Sequence, residues 1–179
     1  MSLRNLVTAL IVAAALFFLF TRSAGQSGTA DAASARVSSL TPPVAQGGLK
    51  ETVNGITYHM PYGRPTRPFT PAVQVGDILY LAGQIGTGAS AQGGVVPGGI
   101  QAETRQTMLN IKDVLEKSGS SMDHVIKCTV FMADMKEWDA MNEVYTTFFP
   151  NHKPARSAFG ATGLALNARV EIECLAKQK

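Results

Sequence analysis

The sequence has few of the residues that would assign it to several functional classes. Only two of its 179 residues are cysteine, and only 16% are charged, with no run of lysine or arginine. Cys128 and Cys174 are too few for a cysteine-based metal motif, and the sequence alone does not place their sulfurs within reach of a disulfide. The net charge of +3 is spread along the chain and gives little support for nucleic acid or an anionic membrane as a partner.

A glycine-rich stretch follows the first clear strand but lacks the features of a phosphate-binding loop. Seven glycines lie between residues 83 and 99. The Lys-Ser/Thr pair of a Walker motif is missing, and so is the glycine spacing of a dinucleotide site. We interpret this stretch as a flexible loop.

The N-terminus carries a targeting signal. A run of 15 residues from Leu6 to Phe20, all but one of them apolar, follows Arg4. This length is the upper end of a signal-peptide core and is shorter than the roughly 20 residues of a membrane-spanning helix. A cleaved signal peptide and a retained membrane anchor both stay open, and either predicts an exported domain, periplasmic or extracellular. The predicted divisions are a signal peptide or anchor at 1–25, a flexible linker at 26–48 and one globular domain at 49–179.

Hydrophobic periodicity predicts a mixed sheet with two helices. Asn54-Gly55 and Gly76-Asp77 each separate β-prone residues and predict tight hairpins. Helical spacing of apolar residues predicts a helix over 100–118, and residues 125–132 predict a strand. A second helix is expected from Asp134. The order of elements predicts an α+β fold with both helices packed on one face of the sheet.

The second predicted helix has a cap and an aromatic stripe. Asp134 and Glu137 form an Asp-x-x-Glu capping box in sequence. Trp138 and Tyr145 belong to a stripe that we interpret as core and not as a cofactor cage. Asn142 lies between them and is interpreted as capping an edge of the core.

The last strand carries charge on one face only. Even positions in 169–174 are apolar or cysteine and odd positions are Arg or Glu, so one face is core and the other is charged. If Arg156 begins an adjacent strand, its planar guanidinium stands beside Glu171 and makes a carboxylate-binding fork next to a proton-handling group. A surface ion pair is the alternative. Small and apolar neighbours, including Ala158 and Leu175, predict that oligomerisation covers this face.

Six separated motifs in the sequence occur in an order that carries a family resemblance. They are Gly83-Gln84-Ile85, Gly98-Gly99-Ile100 with Glu103-Thr104-Arg105-Gln106, Lys127-Cys128-Thr129-Val130-Phe131, Asn142-Glu143-Val144-Tyr145, Lys153-Pro154-Ala155-Arg156-Ser157 and Val170-Glu171-Ile172-Glu173. From about Pro68 to Ala176 the chain resembles the RidA/YjgF family of reactive-intermediate deaminases. The resemblance implies a chorismate-mutase-like fold, a homotrimer, a small carboxylate substrate in each inter-subunit cleft, and no metal or organic cofactor.

The resemblance also implies roles for individual residues. Arg156 would grip the substrate carboxylate, and Glu171 would position the hydrolytic water; these are the predicted catalytic residues. The further substrate-binding positions are Phe69, Asn142, Ala82, Gly83 and Ala158.

Three of those positions depart from the family pattern and make the pocket less polar. Phe69 keeps an aromatic wall without the usual hydroxyl, Ala82 replaces a serine or threonine, and Ala158 replaces a frequent cysteine. The predicted function is hydrolysis of 2-imino and enamine acids to 2-keto acids and ammonia. The alternative is a non-catalytic carboxylate-binding or chaperone-like protein that uses the same cleft. Nucleic acid is not expected as a partner, and a membrane tether through residues 6–20 stays open.

Overall fold

A computed structural model of the protein describes residues 48–88 and 93–179. The predicted signal peptide or anchor lies outside the described residues, and so does the predicted linker apart from its last residue. In the described ranges, no helix combines the length and apolar character that crossing a membrane requires.

The described residues form one mixed sheet and two α-helices. The strands are β1 (Leu49–Val53), β2 (Ile56–Met60), β3 (Ala72–Val75), β4 (Ile78–Leu81), β5 (Gln84–Ile85), β6 (Val125–Met132), β7 (Ala155–Gly160) and β8 (Val170–Lys177), and the helices are α1 (Gly99–Lys117) and α2 (Trp138–Tyr145). The strand order is β1-β2-β3-β4-β8-β6-β7, with β5 also pairing with β8. Only the β6–β7 pair is parallel among these described strands. The predicted α+β architecture is confirmed.

Two tight turns connect strands in the N-terminal half of the sheet. Asn54 and Gly55, with φ of 51° and 79°, connect β1 to β2, while Gly76, with φ of 57°, begins the turn between β3 and β4. Positive φ at these positions is what primed hairpin turns require. Both predicted hairpins are therefore confirmed, and β4 takes a central position between β3 and β8.

The hydrophobic core lies between the sheet and the two helices. Strands β4, β6 and β8 each point a fully buried side chain into this core: Leu79, Val130 and Ile172. Met108 on α1 and Met141 on α2 are fully buried opposite them. The helical stripe predicted for residues 100–118 therefore faces the core, as its period requires.

The start of the second helix differs from the prediction. Asp134 accepts a hydrogen bond from the backbone N–H of Lys136 at 2.9 Å, but a 3-10 turn over Met135–Glu137 precedes α2. The Glu137 side chain pairs with the guanidinium of Arg169 instead of returning to the cap. A strong charge partner is available there, so only the Asp134 half of the box forms.

Arg169 also departs from its predicted place on the charged face. Its backbone N–H donates to Glu103 Oε2 at 2.8 Å, and Glu103 is only 4% exposed. With Glu137 on its other side, Arg169 faces the helices. It lies just before β8, where the period-two alternation no longer fixes its direction.

A disulfide joins β6 to β8, the pairing that the sequence left open. Cys128 and Cys174 are directly opposite in the antiparallel register, and each is 1% exposed. The bond closes a segment with a sequence separation of 46. On the chain-entropy model, a loop of this length stabilises the fold by about 4 kcal/mol through its effect on the unfolded chain.

Candidate functional site

The register around β6 decides where the two predicted catalytic residues point. Cys128 on β6 is opposite Arg156 on β7, whereas Phe131 on β6 is opposite Glu171 on β8. Residues paired across strands share a face, and residues three apart on one strand do not. Arg156 therefore faces the helices, and Glu171 lies on the opposite, helix-free face. The predicted side-by-side placement of these two residues is wrong within one chain, because β6 intervenes and separates β7 from β8 by roughly 9–10 Å.

Arg156 is held by neutral groups on α2. Its Nη1 donates a 2.7 Å hydrogen bond to Asn142 Oδ1. Its guanidinium carbon lies 5.0 Å from the ring centroid of Trp138 and 4.8 Å from that of Tyr145. Within residues 48–88 and 93–179, no carboxylate forms an ion pair with this arginine. The half-buried cation is therefore left without a negative partner in the described part of the chain.

The interpretation of the aromatic stripe as core was incomplete. Tyr145 is 4% exposed and Trp138 packs against the core, as expected, yet both rings also contact Arg156. Asn142 does more than cap a core edge, since its carbonyl oxygen accepts from the arginine. The signal in the sequence was the spacing of Trp138, Asn142 and Tyr145 at i, i+4 and i+7, which places all three on one helix face.

Ala158 lies on the same face as Arg156, two residues further along β7. It is half-buried and packs against the core. The expectation that Ala158 belongs to the face of Glu171 is wrong, for the same reason of register. Its neighbour Phe159 is the residue that lies on that face, where its ring meets Phe131 edge to face with centroids 5.0 Å apart.

Glu171 sits in a mostly apolar row on the helix-free face. Ile85 and Phe131 flank it in the registers of β5 and β6. Gly83 lies so close that a β-carbon added there would be 2.1 Å from Glu171 Oε1. Burial raises the pKa of the Glu171 carboxyl above its usual value, and the negative charge of Glu173 raises it further. A carboxyl in this setting holds and releases a proton nearer to neutral pH than an exposed glutamate does.

Phe69 lines a cavity that is lined by none of the other predicted site residues. It is 43% exposed, and this cavity of about 520 Å³ lies between the 62–71 segment and α1, with Gln84 and Asn110 also in its lining. Ala82 is half-buried beside Gly83, and its N–H donates to Pro71 O at 3.0 Å. The seven predicted site residues thus fall into three places: Arg156 with Asn142 and Ala158, Glu171 with Gly83 and Ala82, and Phe69 in its cavity.

The described residues offer no group of three or more His, Cys, Asp or Glu side chains that is arranged to hold a metal ion. Both cysteines are bonded to each other.

Comparison with known proteins identifies the family. Residues 61–178 match the family described as Endoribonuclease L-PSP. This chain belongs to that family, which is also the family of RidA and YjgF. A mouse relative named 2-iminobutanoate/2-iminopropanoate deaminase is 40% identical over 111 residues, which are 62% of this chain and 82% of the relative. The predicted family resemblance is therefore confirmed.

Solved structures of RidA/YjgF proteins share the fold. The YJGF gene product of E. coli aligns with a TM-score of 0.60 and 28% identity, over 64% of this chain and 91% of that one. The structure of E. coli TdcF with bound serine aligns with a TM-score of 0.59 and 30% identity, over the same shares of the two chains. The chorismate-mutase-like arrangement expected from the sequence is thereby confirmed.

The raised pKa of Glu171 predicts a pH-dependent effect on stability. Because its pKa in the folded state exceeds that in the unfolded state, this carboxyl favours folding at low pH, and its contribution is lost as pH rises through the folded-state pKa. The free energy of unfolding of Glu171→Gln, minus that of the unmodified protein, should therefore increase between about pH 4 and about pH 7. Urea denaturation at each pH measures this difference, at a protein concentration where light scattering shows a monomer, because Arg156 of a neighbouring copy would lower the pKa of Glu171. A difference that stays constant or decreases over this range contradicts the assigned environment of Glu171.

Proposed function

We propose that this protein hydrolyses 2-imino acids, and the enamines in equilibrium with them, to 2-keto acids and ammonia. The observation that carries the proposal is Arg156, a half-buried cation held by neutral partners, with no carboxylate paired to it in the described residues. A site of this kind is completed by an anion, and a 2-imino acid supplies a carboxylate. The mouse relative's name points to the same substrate class.

The chemistry needs a second group that handles protons, and Glu171 has the required properties. The carboxylate of the substrate binds the guanidinium, which fixes the adjacent imine carbon. Glu171 accepts a proton from a water molecule while the water oxygen bonds to the imine carbon. Glu171 then gives this proton to the imine nitrogen. The resulting carbinolamine still carries a hydroxyl proton, which Glu171 takes and passes to the amino group. The carbon–nitrogen bond then breaks as the carbonyl forms, ammonia leaves and the 2-keto acid remains. Positioning supplies the acceleration, so the reaction needs no nucleophilic side chain.

Both residues serve one substrate only if two copies of the chain build the site. Arg156 is fixed to α2 on the helix side, while Glu171 lies on the other face. A second copy that packs on the helix-free face would place the edge strand that carries its Arg156, β7, against Glu171 of the first copy. Large apolar side chains on that face, including Tyr80 and Phe159 at 47% exposure each, favour such packing. We assign the assembly to a homotrimer, as the family resemblance implies, with three equivalent sites.

Export of the domain is a separate proposal. The apolar segment at residues 6–20 supports it, and so does the disulfide between Cys128 and Cys174, because such bonds persist in oxidising compartments. The chain would act outside the cytoplasm, either free or tethered by its N-terminal segment.

Two substitutions separate the roles of Arg156 and Glu171. Arg156→Lys keeps the charge but loses the planar fork, so affinity for a stable 2-keto acid should fall by about 1–3 kcal/mol. Glu171→Gln removes the proton acceptor but keeps the size, so turnover of 2-iminopropionate should fall while 2-keto acid binding stays close to that of the unmodified protein. Calorimetry measures binding, and imine generated in the assay measures turnover. Glu116→Gln is the matched control and should keep most of the turnover, because Glu116 is exposed on α1, where it pairs with Lys112.

The same experiment tests the alternative of a carboxylate-binding protein without turnover. In that case the unmodified protein binds the 2-keto acid but clears imine no faster than buffer does. If Arg156→Lys leaves both binding and turnover unchanged in a folded protein, the assignment of the site is wrong.

The export proposal predicts that Cys128 and Cys174 are oxidised in cells. A thiol-reactive label applied under denaturing conditions should reach them only after chemical reduction. A reporter enzyme fused after Lys179 should report a location outside the cytoplasm. A reporter that is active only in the cytoplasm, on a protein whose thiols label without reduction, contradicts the proposal.

A further inference from the structure

Helix α2 presents a three-residue clamp to Arg156. Trp138, Asn142 and Tyr145 follow one another at i, i+4 and i+7 on the helix. Trp138 and Tyr145 are seven residues apart, so their backbones are separated by about 10.5 Å along the axis of α2. The guanidinium carbon lies 5.0 Å from the Trp138 ring centroid and 4.8 Å from that of Tyr145, so it contacts both rings as well as Asn142.

The clamp holds the arginine without neutralising it. Aromatic rings attract a cation through their quadrupoles, and the Asn142 carbonyl accepts one of its hydrogen bonds. An aspartate or glutamate in the same place would orient the guanidinium equally well but would compete with a substrate carboxylate. With neutral partners only, the described contacts leave the positive charge for a ligand.

Core packing alone does not account for the residue types in the clamp. Trp138 is only partly buried, and the hydroxyl of Tyr145 is buried without a hydrogen-bond partner among the described residues. A phenylalanine would fill the same core and offer the same kind of ring to Arg156 without that unpaired hydroxyl, so neither role explains the hydroxyl.

We propose that Trp138 and Tyr145 are positioning residues, which fix the guanidinium of Arg156 in the orientation that receives the substrate carboxylate. The inference rests on the proposed function, because it concerns the same site. It adds that carboxylate affinity depends on two aromatic rings that never need to touch the substrate.

Trp138 gives the sharper test, because Tyr145 is so deeply buried that its loss endangers the fold. Trp138→Leu keeps an apolar side chain and removes the ring, so the Kd for 2-oxobutanoate and the KM for 2-iminopropionate should each rise about threefold to tenfold. The kcat should change by less than about twofold, since Glu171 is untouched. Trp138→Phe restores a ring and should recover most of the affinity. Phe148→Leu is the matched control, because it removes a partly buried ring that is not among the described cation–π partners of Arg156, and it should leave Kd and KM unchanged.

Fluorescence supplies an independent readout. Trp138 is the only tryptophan in the chain, so its emission reports directly on the clamp. Titration with 2-oxobutanoate should change this emission in the unmodified protein, and the change should disappear in Arg156→Ala.

The outcomes separate this inference from the proposed function. If binding weakens in Trp138→Leu and recovers in Trp138→Phe, the clamp is supported, even where imine turnover is absent and the proposed hydrolase activity is wrong. Equal affinity of Trp138→Leu and the unmodified protein overturns the clamp while leaving the hydrolase in place. An unmodified protein that binds no 2-keto acid overturns the clamp, and so does an equal loss of affinity in Phe148→Leu.

Discussion

Strand β6 constrains the whole site, because it pairs with β7 on one side and β8 on the other. Its register places Cys128 beside Arg156 and Phe131 beside Glu171. A shift of one residue in the pairing of β7 or β8 with β6 would turn every side chain of the shifted strand to the other face of the sheet. The disulfide from Cys128 to Cys174 ties one of these pairings covalently. The fold therefore fixes the two proposed catalytic side chains on opposite faces of the sheet.

Each half of the proposed site is electrostatically incomplete in the described chain. Arg156 is a cation held by an amide and two rings, and Glu171 is a carboxyl whose pKa is raised by its apolar surroundings. A 2-imino acid has a carboxylate next to an electrophilic carbon. The carboxylate is the partner for Arg156, and the carbon is where Glu171 would direct a water molecule. In our account, assembly brings the two halves together, and the exposed apolar residues around Glu171 provide the surface for it.

Local sequence signals predicted the elements of the fold but not the partners of β6. Asn54-Gly55 predicted a hairpin because few other residue pairs accept positive φ at both positions, and the residues from 125 to 132 predicted β6 from end to end. The side-by-side placement of Arg156 and Glu171 failed because strand order depends on pairings between distant segments, which period-two patterns do not encode. The core contact of Trp138 was predicted, but its contact with Arg156 was missed for a similar reason, since helical spacing identifies a face but not everything that packs against it.

Mixed oligomers test the shared site most directly. Arg156→Ala and Glu171→Gln would each be inactive alone, and the two would then be dissociated together and reassembled in equal amounts. If each site takes Arg156 from one copy and Glu171 from the next, about a quarter of the sites in random trimers regain both residues. The account predicts recovery of that fraction of the turnover of unmodified protein taken through the same cycle. Mixed oligomers that form, as seen by native mass spectrometry, but regain no turnover would contradict it.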